Sequence, residues 1–120
     1  MSLTLDELQA RVRAFSDERD WAQFHAPRNL AMAVSVEAGE LLELFLWCRD
    51  DGPQPAVASR EGRVADEAAD VLISLLNFAE RTGIDLGQAV LDKLERNAQR
   101  YPAERVRGQM LKYDEYEEPS

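Results

Sequence analysis

The sequence predicts an all-α fold, and three observations carry that prediction. Apolar residues recur at spacings of three and four, Thr4 and Asp85 each stand three residues before a Glu or Gln, and no segment shows strand-like alternation. With 120 residues and 45% hydrophobic content, the chain can bury one core and is short for two.

The first helix is expected from about Leu5 to about Glu18, with Leu5, Leu8, Val12 and Phe15 on one face and Thr4 with Glu7 forming a capping box. Asp20 to Ala26 is aromatic-rich and lacks a long period. Pro27 suits the first turn of a second helix, where its missing N–H costs nothing. That helix carries Glu37 and Glu40 and is expected to end near Trp47. Asp50 to Pro55 is dense in turn formers and reads as an exposed loop. A third helix is expected from Ser59 or Arg60 to Gly83, a residue able to adopt a left-handed cap. Asp85 and Gln88 open a fourth, with Leu86, Val90, Leu94 and Asn97 on one side and Pro102 at its end. Ala103 to Ser120 is polar, acidic at its end, and expected to be weakly ordered or ordered against a partner. The domain is accordingly placed at residues 1–104 and an acidic tail at 105–120.

A net charge of −9 argues against a nucleic-acid polymer or an anionic membrane as partner, since both are held by basic patches. A single cysteine, Cys48, excludes an intrachain disulfide and reads as a small buried hydrophobe. The first residues have no basic stretch followed by an apolar one, and no apolar run reaches the length of a membrane span, so a cytoplasmic location is expected.

Chemistry concentrates in two carboxylate pairs, Glu37-x-x-Glu40 and Glu67-x-x-Asp70, each set in an apolar segment. Uncompensated negative charge is costly in such surroundings, so a cation between the pairs is expected. Residues three apart share a helix face, and the two stripes continue through Leu44 and Trp47 and through Ser74 and Asn77. A lone E-x-x-E is usually a solvated face; a second acidic pair on the next apolar helix shifts the balance toward a metal site. If the two helices pack antiparallel, four carboxylates converge and suit a hard divalent cation, magnesium in particular. A di-iron site wants Glu-x-x-His pairs that His25 does not complete, and zinc and EF-hand ligands are missing.

Lys93, Asn97 and Arg100 follow i, i+4, i+7 and suit polyphosphate oxygens, although a basic last helical turn, including Arg96, accounts for them equally well. Trp21, Phe24 and Trp47 offer faces for stacking a base; taken singly, such aromatics are more often core.

The two acidic pairs resemble the E-x-x-E, E-x-x-D signature of the all-α nucleoside triphosphate pyrophosphohydrolases, the MazG-like superfamily. Two runs are similar to its dCTP pyrophosphatase branch: Arg19-Asp20-Trp21-x-Gln23-Phe24-His25-x-Pro27-Arg28-Asn29-Leu30 and Glu37-x-Gly39-Glu40-Leu41-x-Glu43-Leu44-Phe45-x-Trp47. Lys93-x-x-x-Asn97-x-x-Arg100-Tyr101-Pro102 and Lys112-Tyr113 continue the likeness. The resemblance implies a four-helix bundle assembled into a homotetramer, with a dimer as the smaller alternative, and active sites where subunits meet. It implies magnesium-dependent cleavage between the α and β phosphates, with Glu37, Glu40, Glu67 and Asp70 as metal ligands. The base pocket would map onto Trp21, Phe24, His25 and Trp47, and phosphate contacts onto Lys93, Asn97 and Arg100. Glu40 and Glu43 are both candidates for general base. Ser74 departs from the tyrosine of the animal enzymes, which leaves the base contact open.

Two other readings remain: a non-catalytic helical nucleotide-binding or interaction module, and the same fold acting on dUTP or phosphoribosyl-ATP. Independently of the family, two apolar acidic helices in so small a bundle predict oligomerisation.

Overall fold

The computed structural model describes residues 2–52 and 63–110. The expected start of the third helix at Ser59 or Arg60, the prolines of the loop and the end of the acidic tail lie outside these residues. The described chain is helical, with no strand: α1 (Leu5–Glu18), a 3-10 turn (Ala22–Phe24), α2 (Pro27–Glu43), α3 (Arg63–Thr82), α4 (Leu86–Arg100) and α5 (Ala103–Val106). No helix among the described residues is long and apolar enough to cross a membrane. The chain forms two compact units, Met1–Ile84 and Asp85–Ser120.

In the first unit the expected capping box is formed. The Thr4 hydroxyl accepts from the Glu7 N–H at 3.1 Å, and the Thr4 N–H donates to Glu7 Oε2 at 3.3 Å. The end of α1 is a motif that the sequence reading did not anticipate. Asp20 takes the left-handed conformation (φ 54°), Trp21 N–H donates to the Ser16 carbonyl at 3.0 Å and Asp20 N–H to that of Asp17 at 3.1 Å. This is a Schellman cap with Asp in place of glycine. Its usual apolar contact is present as well, because Trp21 meets Phe15 edge-on with ring centroids 5.7 Å apart.

Pro27 opens α2 as expected, but α2 ends at Glu43 rather than near Trp47. Beyond Glu43 the chain closes i→i+3 hydrogen bonds, Leu44 to Leu41 (3.2 Å), Phe45 to Leu42 (2.9 Å) and Cys48 to Phe45 (3.0 Å). Trp47 lies in this tighter turn rather than on α2 and stands 91% exposed. The α3 end agrees with expectation: Gly83 has φ 75°, and the N–H groups of Gly83 and Ile84 both reach the Ala79 carbonyl.

Helices α2 and α3 pack along one another, and α1 packs on α3. The buried centre is small: Leu30 from α2, Leu76 and Ala79 from α3, and Ser16 from α1. Arg13 and Gln9 reach Glu80 at 3.4 and 3.1 Å across the α1–α3 contact. Such exposed pairs contribute little, so apolar packing holds the helices together. Met32, Val36 and Leu42 on α2 remain more than half exposed.

In the second unit Asp85 caps α4, its carboxylate accepting from Gln88 N–H at 3.0 Å. The reciprocal half of the expected box is replaced by a bond from the Gln88 amide to Asp92 at 2.9 Å. Pro102 ends α4, and Ala103–Val106 form α5 at the start of the segment expected to be weakly ordered or ordered against a partner. Pro102 presets the backbone and its carbonyl accepts from Arg105 and Val106, while Ala, Glu and Arg favour the turn intrinsically.

Candidate metal centre

The side chains of Glu37, Glu67 and Asp70 converge in the seam between α2 and α3. One carboxylate oxygen from each lies within 4.8 Å of the others, and this is the cluster of metal-capable groups among the described residues. Oε2 of Glu37 and Oε2 of Glu67 are buried without any hydrogen-bond partner. Buried polar atoms are seldom left so, and their desolvation favours either a proton or a cation beside them. Both carboxyls hold their protons above the usual carboxylate value. For Glu37 the causes are burial, then the adjacent Glu40 carboxylate, then the charges of Asp70 and Glu67. For Glu67 they are burial, then the adjacent Glu40 carboxylate, then Asp70, with Arg63 partly offsetting them.

All the donors are carboxylate oxygens, and they suit a hard cation that takes oxygen ligands. Of the four acids read from the sequence, three form the cluster and Glu40, which is exposed, stands against Glu37 and Glu67 at its rim. Glu43 is exposed at the last position of α2, one turn farther on.

The aromatic candidates lie elsewhere. Trp21 lines an apolar groove of about 430 Å³ between α1 and α3, with Phe15, Val12, Leu72 and Leu76. At about 100° per residue, Leu72 and Leu76 project from the side of α3 away from Glu67, Asp70 and Ser74. His25 borders a smaller, polar hollow with Arg13, Ser16, Asn77 and Arg81. Phe24 is 65% exposed. The described residues therefore do not gather the expected aromatic pocket around the carboxylates within one chain.

Residues 32–115 match the MazG-like family. The chain belongs to the MazG-like family. It is 46% identical over 112 residues to dCTP pyrophosphatase 1 from Bos taurus, an alignment that covers 92% of this chain and 66% of that protein. It is 46% identical over 114 residues to dCTP pyrophosphatase 1 from Homo sapiens, covering 93% of this chain and 67% of that one. It thus spans about two thirds of the length of the curated relatives it matches. A crystal structure of a pyrophosphatase from Archaeoglobus fulgidus superposes with a TM-score of 0.75 at 40% identity, covering 85% of this chain and 95% of that one.

In this MazG-like chain Lys93, Asn97 and Arg100 all stand on α4, in the second unit, with Lys93 and Arg100 exposed and Asn97 half-buried. Two residues that shape the sites were not singled out from the sequence. Arg63 is one, a cation one turn before Glu67 that offsets part of its load. The other is Ser16, a polar residue inside an apolar stripe, whose hydroxyl donates at 3.4 Å to Asn77, the residue already placed on the stripe of Glu67, Asp70 and Ser74. A serine breaking the α1 pattern was the signal available for that pair.

Proposed function

We propose that this MazG-like chain is a magnesium-dependent nucleoside triphosphate pyrophosphohydrolase acting on dCTP or a related pyrimidine deoxynucleoside triphosphate. The observation that carries the reading is the three-carboxylate cluster with two buried, unpartnered oxygens. Relatives named dCTP pyrophosphatase 1 and a pyrophosphatase neighbour support the substrate class.

Glu37, Glu67 and Asp70 would hold the ion, with Glu40 completing the set from the rim. Bound there, magnesium would supply positive charge to the phosphate oxygens and make water a better nucleophile. In the reaction a water oxygen bonds to the α-phosphorus, the bond from that phosphorus to the bridging oxygen breaks, and pyrophosphate leaves with the electron pair. The water's proton passes to a carboxylate, with Glu40 and Glu43 as candidates. Lys93, Asn97 and Arg100 offer donors for the polyphosphate oxygens. Trp21, Phe24, His25, Trp47 and Ser74 serve the base and sugar. A cytoplasmic homotetramer accounts for the uncovered apolar surface of α2, with a dimer as the smaller alternative.

The test is a nucleotide panel with magnesium and product analysis. Monophosphate and pyrophosphate should form, and Glu40→Gln and Asp70→Asn should each lose most turnover while keeping helical content. Near-normal pyrophosphate release from either variant sinks the metal assignment. Ser74, with no aromatic ring where the animal enzymes carry one, keeps a second reading in view, a nucleotide-binding module. Binding without turnover would select it, and preferred hydrolysis of dUTP or phosphoribosyl-ATP would move the substrate. Light scattering should give a multiple of the 13.6 kDa chain mass.

A further inference from the structure

Asn77 is the point where the groove, the polar hollow and the carboxylate stripe meet. It borders both the Trp21 groove and the hollow that holds His25. It follows Asp70 by seven residues, which places it about 10 Å along α3 and about 20° around it. That puts it at the edge between the carboxylate face and the groove, at a separation that a nucleoside and its phosphates bridge.

Its amide is oriented from below. Ser16, only 5% exposed, donates its hydroxyl to Asn77 Oδ1 at 3.4 Å. The carbonyl of the same Ser16 accepts the Trp21 N–H at 3.0 Å. One buried residue thus sets both the aromatic wall and the amide beside it. With Oδ1 accepting from Ser16, the amide NH2 keeps its two donors for another partner, and it is not among the buried unpaired polar atoms, which belong to Glu37 and Glu67. A mostly apolar hollow with a few polar groups, here Asn77, Ser16 and Arg11, is the usual form of a small-molecule site.

We propose that Asn77 determines base specificity: its NH2 donates to adjacent acceptors on a pyrimidine lying against Trp21, with Ser16 as its positioning residue. The proposal rests on the pyrophosphohydrolase reading. Cytosine presents two neighbouring acceptors, O2 and N3, whereas uracil and thymine carry an N3–H that would face the donor. Asn77 therefore favours dCTP over dUTP and dTTP.

The experiment compares wild type, Asn77→Asp and Ser16→Ala. The aspartate keeps the size of the side chain and still accepts from Ser16, but an ionised carboxylate has no donor. The ratio of kcat/KM for dCTP to that for dUTP should fall about tenfold or more, mainly through KM, with the magnesium-induced thermal shift unchanged. Ser16→Ala should move the ratio in the same direction by less. Calorimetric binding of dCMP and dUMP gives a second readout independent of turnover. An unchanged preference in folded Asn77→Asp overturns the proposal, and so does a change in oligomeric mass with preference intact. Hydrolysis by a wild type that prefers neither base overturns it while leaving the pyrophosphohydrolase reading standing. Absence of hydrolysis with a dCMP preference lost in Asn77→Asp does the reverse.

Discussion

Glu67→Gln should separate two quantities that the carboxylate cluster sets against each other, stability without a divalent cation and stability with one. In the metal-free chain Glu37 and Glu67 bind protons more tightly than free carboxyls, whose ordinary value is 4.5. Between that value and the raised ones the folded state carries more protons than the unfolded state. Stability is therefore greatest at the acid side of this window and falls as pH rises through it. Glutamine removes one charge and one titrating group, so the variant should melt higher than wild type at pH 8 without metal, with a shallower pH dependence. It also loses a ligand oxygen. For wild type, magnesium at about 100 times its Kd contributes about 2.7 kcal/mol. At about 2.1 cal/mol/K per residue, a chain of 120 residues has an unfolding entropy of about 0.25 kcal/mol/K, so Tm should rise by about 10 °C. If the lost ligand weakens Kd about 100-fold, the same concentration contributes about 0.4 kcal/mol and under about 2 °C. Scanning calorimetry at pH 5 and pH 8 across a magnesium titration reads both effects. An equal magnesium shift in the two proteins, or a metal-free variant that melts below wild type at pH 8, would refute the reasoning.

Two further outcomes concern the scaffold. Leu76→Ala, at a side chain 1% exposed, removes three carbons worth about 0.8 kcal/mol each and leaves a cavity, so urea unfolding should report a loss of about 3 kcal/mol. A loss below about 1 kcal/mol would mean that the α1–α2–α3 centre does not carry the fold. Gly83→Ala meets open space but must hold φ at 75°, so it should cost about 1 kcal/mol through conformation alone, and Gly83→Asn should cost less.

Much of this architecture was legible because its signals are local. Thr4 with Glu7, Pro27, Gly83 and Pro102 each act within a turn or two, and the helices begin or end beside them. The α2 end was not legible, because Leu44-Phe45-Leu46-Trp47 contains no residue that stops a helix and the switch to i→i+3 bonding leaves no mark in the sequence. The α1 cap was hidden for a related reason: a left-handed Asp20 does the work usually signalled by glycine. α5 escaped because a short turn after a proline has no period to detect.

At the site, helical spacing alone determined that Glu37 and Glu40 share a face and that Glu67 and Asp70 share another, since 3.6 residues per turn fixes direction without any neighbour. Sequence likewise established the apolar setting that makes those charges costly. Which acids meet was decided by packing. Sliding or rotating one helix against the other would leave each stripe intact and change every distance between them. Only the α2–α3 contact brings Glu37, Glu67 and Asp70 within 4.8 Å and leaves Glu40 at the rim. The same holds for Ser16 and Asn77, sixty-one residues apart, whose hydrogen bond exists because α1 packs on α3.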